Sequence, residues 1–524
     1  MLTAARAAMQ SLTAGGDSAG GDSAGAGPAP RFVAALLGAT LVASTLGLCA
    51  WRFACVRAGP DPDGDAYGHY LIARQLLATP FELRIHWVWL PLYHVLLAAL
   101  VALGATLDRV RQVNALGAVL PPLLLLWALA RERRAARHPG PAAEARARLP
   151  LVALGAASLT AASPLLVQLG TTGQMEVAFC ALLTLAVALL VRERFAAAAV
   201  ALSALSLMRY EGWPVAAVVA AVSLWRRLIA RVPLARGEWA CVLAPGACVL
   251  GWAALRWRGG EPWFGFILEN QAFAEQALDG SARAGSLALA LARYTLLVPW
   301  RTFGLAALCA LIGIGPTLRR HGVWLVAPGL AILAFLTASS LTRSQLGLDR
   351  HFTSVVPFAA TWISHGLGRI AARVMSLTRP ELGPALARAA ATLALAPFLV
   401  SLALQLSDGL DGWLGTTRAA LPAQRAIALA LRGAAPDARI LCADASIEVL
   451  SELGPERFEH VSVVGQIEAR IAALVAERDV YVVQRARALR GAGAGAVLYG
   501  DLEGPPDSFV LMRFEARRPA PHGG

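Results

Sequence analysis

The stretch PDPDGDAYGHYLIARQLL, residues 60–77, sets three aspartates, Asp61, Asp63 and Asp65, close ahead of His69 and Tyr70. Carboxylates in such a place have two uses. One before a helix accepts hydrogen bonds from the first free N–H groups, which stabilises the helix by about 1 kcal/mol. One at the mouth of a site takes a proton from a reacting group. Read as a helix from Asp65 onward, the segment puts Asp65, His69 and Ile72 on one face. Asp63 and Asp65 are both able to cap, and spacing alone leaves the two uses of Asp65 open.

Further candidates recur along the chain. In RIHWVWLPLYHVLLAALVAL (84–103), Arg84 and His86 could meet an anionic headgroup, while Trp87 and Trp89 suit an aromatic belt at a membrane boundary. Glu176, in QLGTTGQMEVAF, stands between two apolar segments, where an acid is costly unless it is paired or wet. SLMRYEGWP places Arg209 and Glu211 side by side, as a binding pair or a local ion pair at a helix turn. EPWFGFILENQAFAEQ (261–276) carries Glu269 and Glu275 on a partly amphipathic stretch. LTRSQLGLDRHFTSVVPF (341–358) carries Arg343, Arg350 and His351 just before an apolar run. Arginine there either clamps a phosphate with its planar fork or anchors the end of a span.

The elements that must position these residues are membrane helices. The 524 residues are 57% hydrophobic and 15% charged, with a mean hydropathy of +0.56. Soluble domains hold roughly a quarter charged residues, so the class is a polytopic α-helical membrane protein, with about 11–13 transmembrane helices. The net charge of +13 comes from 47 basic residues, all of them arginine. They cluster between apolar segments, a pattern that sets membrane orientation and gives no reason to expect nucleic acid. The seven cysteines show no metal or redox spacing and demand no disulfide.

Residues 1–30, with GGDSAGGDSAGAG, are too small and polar to bury a core and are expected to be disordered. Segment 33–50 reads as a retained signal anchor. Other apolar segments lie near 87–107, 113–130, 151–169, 177–191, 196–208, 213–225, 239–255, 303–318, 323–340, 352–368 and 386–406. Basic loops at 131–148, 192–194, 226–236, 319–321 and 369–388 mark the cytoplasmic side. Exterior loops then begin near 60, 172, 209, 258, 341 and 407, so every candidate above lies outside. Segment 87–107 cannot be a simple crossing if Asp65 is outside and Arg131 inside. It is interfacial, re-entrant or a pair of short helices, or else the basic loop breaks the orientation rule. Residues 31–406 thus form a transmembrane domain whose first exterior loop is at about 53–86, and 407–524 an extracytoplasmic α/β domain with a short tail. In the latter, ARILCAD, DVYVVQ and SFVLMRF read as strands and IEARIAALVAER as an amphipathic helix. Asp444 follows the first of these strands and reads as a loop cap.

Taken in order, the segments resemble the GT-C superfamily of membrane glycosyltransferases, which includes protein mannosyltransferases, aminoarabinose transferases and oligosaccharyltransferase catalytic subunits. DAYGHYLIARQLL is similar to the acidic motif of the first exterior loop, and HWVWLPLYHVLLAAL to the Pro-Leu-Tyr segment. LTAASPLLVQLGTTGQMEVAF resembles the segment leading to the second acidic site, ALSLMRYEGWP the Leu-x-Arg-x-Glu-Gly turn, and DRHFTSVVPFAA the late Arg and Pro segment. The series covers roughly residues 33–370. It implies Asp65 as the catalytic Asp and Glu176 as the second acid, which in different branches helps to hold a metal or the acceptor. Asp63, His69, Tyr70, Arg84, His86, Arg209, Glu211, Glu269, Arg343, Arg350 and His351 are then candidates for binding substrate. Arg84 and His86 lie near where some members place a phosphate-binding lysine, a residue this chain lacks altogether. No adjacent Asp-Glu pair stands in the first loop, against a protein mannosyltransferase proper. No Trp-Trp-Asp motif stands in the exterior domain, against an oligosaccharyltransferase.

The resemblance implies transfer of a sugar from a polyprenyl-phosphate donor to a lipid, glycan or protein acceptor, on the outer face of a bacterial inner membrane. It implies no fixed cofactor beyond room for a divalent metal. The rival reading is a lipid or sugar transporter or flippase, which would place charges along a mid-membrane pathway and often pair broken helices. Here the charged residues gather at exterior ends and no repeat relates the halves. On the enzyme reading, Asp65→Asn abolishes transfer and leaves the protein folded. Retained transfer by that variant removes Asp65 from the role of base.

Overall fold

The computed structural model of the chain describes residues 29–130, 142–229, 231–279, 291–342, 344, 348–378, 383–442, 444–460, 464–485, 489, 496–500 and 508–515. Nearly all of the N-terminal tail, most of the 131–148 basic loop and Arg343 lie outside them. In chain order the helices are α1 (Ala29–Ala58), α2 (Gly64–Ala78), α3 (Pro91–Ala102), α4 (Leu107–Gly117), α5 (Leu120–Leu129), α6 (Ala142–Ala161), α7 (Pro164–Leu169), α8 (Glu176–Val191), α9 (Phe195–Ser206) and α10 (Gly212–Leu228). They continue with α11 (Arg236–Arg258), α12 (Gly265–Asp279), α13 (Val298–Phe303), α14 (Ala307–His321), α15 (Ala327–Leu341), α16 (Val356–Leu377), α17 (Gly383–Arg418), α18 (Pro422–Leu431), α19 (Ala445–Ser451) and α20 (Val464–Val475).

Among the described residues, six helical segments are long and apolar enough to cross a membrane: Gly38–Ala58, Leu107–Leu129, Arg236–Arg258, Arg293–His321, Val323–Leu341 and Ala385–Leu431. Four shorter apolar helices accompany them, Pro91–Ala102, Leu151–Ala161, Glu176–Val191 and Phe195–Ser206. Prolines explain where several expected segments divide. The apolar run 151–169 splits at Ser163, because Pro164 opens α7 and holds the residue before it out of the helical region. The run 87–107 likewise begins as helix only at Pro91, behind an extended Leu90. The resulting α3 has 12 residues, about 18 Å of helix, too short to cross a hydrocarbon core of about 30 Å.

The helices share one large core, from Tyr93 and Leu97 through Phe179, Leu183, Leu202 and Leu205 to Phe352, Phe358 and Trp362. Between helices in an apolar surround the gain comes from close packing, which small residues permit. A methyl group on Gly313 of α14 would run into the Trp362 carbonyl of α16, and one on Gly366 into the Cys309 carbonyl. The two helices therefore meet backbone to backbone through these glycines.

After α17, which runs unbroken past residue 406, the chain folds a five-stranded sheet. Its strands are β1 (Arg439–Cys442), β2 (Phe458–His460), β3 (Val480–Arg485), β4 (Ala496–Tyr499) and β5 (Phe509–Phe514), in the order β2-β1-β3-β5-β4. β1 runs parallel to β2 and β3, and β5 antiparallel to β3 and β4. Alternation divides its core. Ile440, Cys442 and Val483 face Ile427 and Leu431 of α18, while Leu441, Val480 and Val482 pack with Ile471 of α20. The three expected strands and the expected amphipathic helix all form, and all seven cysteines are free thiols.

A β-branched side chain at Gly313 should force α14 and α16 apart. Gly313→Val is expected to destabilise the protein by about 1–3 kcal/mol or more, seen as a lower unfolding temperature in detergent. An unchanged unfolding temperature would show that the helices tolerate separation.

Candidate active site

The three aspartates form a ladder. Asp61 Oδ1 accepts from the Asp63 amide at 3.0 Å, and Asp63 Oδ1 from the Asp65 amide at 3.1 Å. Each short acidic side chain folds back on the backbone two residues on, a local geometry open to Asp. Asp63 is the N-cap of α2. The cap role thus falls on Asp63, and the Asp65 side chain is left 41% exposed and turned to Arg350. Asp61 is fully buried and ties the ladder to a second loop, accepting from the Gly173 amide at 2.6 Å. Burial pushes its carboxyl up to about 7, against Arg111, whose Nε stands 3.7 Å away.

That second loop, 170–175, carries Glu176 at the start of α8. Its carbonyls are satisfied by side chains from neighbouring helices. Asn114 Nδ2 donates to Thr172 and Gln174 at 2.8 Å each, Arg111 Nε to Thr171 at 2.8 Å, and Tyr93 Oη to Gly173 at 2.6 Å. Buried backbone groups need such partners, so the loop has one conformation to adopt. Gly173 also allows close approach, since a methyl there would meet Leu107 at 2.8 Å and Ala66 at 3.3 Å.

Two arginines gather the acids. Arg350, on the 3-10 helix Asp349–Ser354, donates to Asp63 Oδ2 at 2.5 Å and to Asp65 Oδ2, and its Nε lies 3.4 Å from Glu176 Oε1. Arg209, between α9 and α10, binds Glu176 at 2.8 Å and grips Glu211 with two bonds of 3.1 and 2.8 Å. Asp349 is held by Arg293 at 2.7 Å and Arg301 at 2.9 Å, which fixes the turn that presents Arg350. Burial works against both guanidinium charges, but the surrounding carboxylates outweigh it and hold Arg209 and Arg350 above the ordinary arginine range. Burial raises the Asp63 carboxyl, with Arg350 opposing. Burial works to raise Glu211, but the Arg209 guanidinium bonded to it outweighs this and leaves the carboxyl lowered. His351 stands 3.9 Å from Glu211, and burial brings it down to about 4, so it is neutral at physiological pH.

These groups line a cavity of about 410 Å³. Asp63, Asp65, His69, Glu176, Arg209, Glu211, Arg350 and His351 meet there, drawn from four separated stretches of sequence. The other candidates lie apart. Tyr70 donates to the Ala105 carbonyl and faces a larger cleft beside α18. Arg84 is exposed, its Nη2 3.4 Å from the Gly259 carbonyl. His86 is buried against His94. Glu269 is half-exposed, 3.9 Å from Arg256. Arg343 is outside the described residues. The cavity adds Trp87, Trp89, Gln174, Tyr210, Asn270 and Phe273, which the sequence reading did not single out as site residues. Trp87 and Trp89 suit a membrane belt by composition, but they pack edge to face at 5.6 Å, and Trp89 lies 4.4 Å from His69. A signal was available for Asn270 and Phe273, since they sit in the partly amphipathic stretch already noted.

The resemblance left room for a divalent metal. Glu176 Oε2 is buried without a hydrogen-bond partner, as a metal ligand would be. Yet Asp63, Asp65 and Glu176 are all turned onto the Arg350 guanidinium, which stands where their common cation would. Among the described residues no three His, Cys, Asp or Glu side chains are placed to hold one ion. The residues as arranged do not fit a metal.

No protein-family model and no curated protein matches the chain. Among solved structures it is similar to the Archaeoglobus fulgidus oligosaccharyltransferase tethered to an acceptor peptide containing the NVT sequon. The TM-score is 0.45 and the identity 14%, over 89% of this chain and 74% of that one. A likeness at that level specifies neither a family nor a reaction.

Arg209 bonds to two carboxylates that are each 3% exposed, Glu211 and the Glu176 it shares with Arg350. Arg209→Met should therefore cost about 3–5 kcal/mol of stability. The double variant Arg209→Met/Glu211→Gln should recover part of that loss in thermal unfolding. A single variant as stable as the parent would show that water already reaches the pair.

Proposed function

We propose that the protein is an inverting membrane glycosyltransferase that moves a sugar from a polyprenyl-phosphate donor to a hydroxyl on a lipid, glycan or protein acceptor. The observation that carries this reading is the convergence of Asp65 and Arg350 on one cavity wall, with Glu176, Arg209 and Glu211 behind them. The motif series that resembles GT-C enzymes supports it from the sequence side.

The cavity holds four acids against two guanidinium groups, so an anionic donor is recognised by displacement rather than by net charge. A phosphate competes with Asp63 and Asp65 for the planar fork of Arg350, which suits its oxygens. Once the phosphate has taken Arg350, Asp65 is free to act. The acceptor oxygen attacks the anomeric carbon, the bond from that carbon to the phosphate oxygen breaks, and the phosphate leaves with the electron pair. The acceptor proton passes to Asp65, a step contributing typically ~10²–10⁴ in rate. Arg350 stabilises the charge growing on the leaving phosphate. A single displacement inverts the anomeric centre. Trp87, Trp89 and Phe273 supply apolar faces for a sugar ring, and Asn270 a polar edge.

On this reading the chain crosses a bacterial inner membrane about 11–13 times. The cavity and the sheet-bearing 407–524 region lie outside, where a lipid-borne donor arrives from the bilayer.

The test is transfer by the purified protein from a panel of polyprenyl-phosphate sugars, with the anomeric configuration of the product determined. Arg350→Lys, which keeps the charge and loses the fork, should lower turnover by about 10²-fold. Net movement of a lipid-linked sugar across vesicles, with no transfer in any assay, would favour the carrier reading instead.

A further inference from the structure

Behind the cavity three histidines are joined in a line. His69 Nδ1 lies 2.9 Å from His94 Nε2, and His94 Nδ1 lies 2.8 Å from His86 Nδ1. The three rings are 1%, 0% and 2% exposed. Trp89 and Tyr93 pack on His69, and Trp252 on His86, so side chains and not solvent surround the line. His94 uses both of its nitrogens on the other two rings. The arrangement is therefore extended, not convergent, and is no metal site.

A neutral imidazole carries one N–H. His94 accordingly donates one of its two bonds and accepts the other, and both hydrogens point the same way along the line. Burial brings His69 and His86 each down to about 4, so all but a small fraction are neutral at physiological pH. The charged groups acting on His69 are Asp65, Glu176, Arg350 and Arg209. Arg256 acts on His86, and His94 meets only the other two histidines. One end of the line is thus coupled to the carboxylates of the cavity, which His69 helps to line. The other end is the 3-10 helix Leu83–His86, whose neighbours Arg84 and Trp87 are exposed.

We propose that His69, His94 and His86 are a proton wire linking the cavity to the exterior surface, with His69 taking the proton that Asp65 removes from the acceptor. The inference rests on the transfer reading above. In the starting polarity His69 Nδ1–H donates to His94, and His94 Nδ1–H donates to His86. A proton arrives at His69 Nε2, the Nδ1 proton moves to His94 Nε2, and the His94 Nδ1 proton moves to His86 Nδ1. The His86 Nε2 proton then leaves to water. One proton enters, one leaves, and Asp65 is again a carboxylate. The same hops in reverse restore the starting polarity and bring a proton from water to the departing phosphate. His94 and His86 touch no substrate; they act through His69.

The test compares the parent with His94→Gln and His94→Ala, using whichever donor the parent turns over. His94→Gln, which can hydrogen-bond but not relay, should lower kcat by about 10²-fold, leave the donor KM unchanged and enlarge the solvent deuterium isotope effect. Added imidazole should restore part of the rate to His94→Ala. A His94→Gln variant with parental kcat and isotope effect overturns the wire. So does a loss of rate that imidazole leaves untouched and that tracks a lower unfolding temperature, because it marks a packing role. A parent that transfers from no donor overturns the enzyme reading itself, an outcome distinct from both.

Discussion

Carboxylates can be held ionised away from water only where positive charge touches them. This site is built on that constraint. Asp63, Asp65 and Glu176 converge on Arg350, and Glu176 and Glu211 on Arg209. The shared carboxylate of Glu176 joins the two arginines into one network. It ties together stretches far apart in the chain, because the first-loop aspartates, Glu176 and the Arg209–Glu211 turn must each meet a guanidinium. The cavity is the space that these pairs, together with Trp87, Trp89 and Phe273, enclose.

The network is held from outside by side chains that take no part in it. Asn114, Arg111 and Tyr93 satisfy the loop ahead of Glu176, and Trp413 of the long α17 donates to Thr171 at 2.7 Å. Arg293 and Arg301 hold Asp349, next to Arg350. Asp61 bridges the first loop to the second. Polar residues that would be costly in an apolar protein are here spent on other polar groups, so their burial specifies geometry. The apolar core and the close contact of α14 with α16 supply the rigid frame on which these loops sit. Behind the first loop the three joined histidines add a buried polar line, in which His94 uses both of its ring nitrogens on the other two rings.

Helices, strands and the C-terminal α/β unit were legible in the sequence because they rest on local periodicity and composition. So were the site's charged members. An acid in an apolar setting, such as Glu176, or a neighbouring Arg209 and Glu211, needs a reason to be there, and that need is visible without coordinates. What misled was equivalence. Trp87 and Trp89 have the composition of a membrane belt, and nothing in their spacing says that His69 and Phe273 pack against them. His86 read as a headgroup contact, and its bond to His94 was not legible, because a hydrogen bond between residues 86 and 94 or 69 and 94 leaves no periodic trace.

The sequence by itself determined that the chain is a very apolar, helix-rich protein with a small terminal sheet, and that acids and arginines gather in the stretches between apolar segments. Hydropathy, proline placement and residue type are local properties, and the elements follow from them. Only the tertiary structure decided which aspartate does what. Asp61 is buried on Gly173, Asp63 caps α2, and Asp65 faces Arg350 from 285 residues away in the chain. The resemblance singles out Asp65, but spacing alone does not separate three like residues until the loop ahead of Glu176 and the turn bearing Arg350 are brought against them. Those partners arrive by helix packing, which no local pattern encodes.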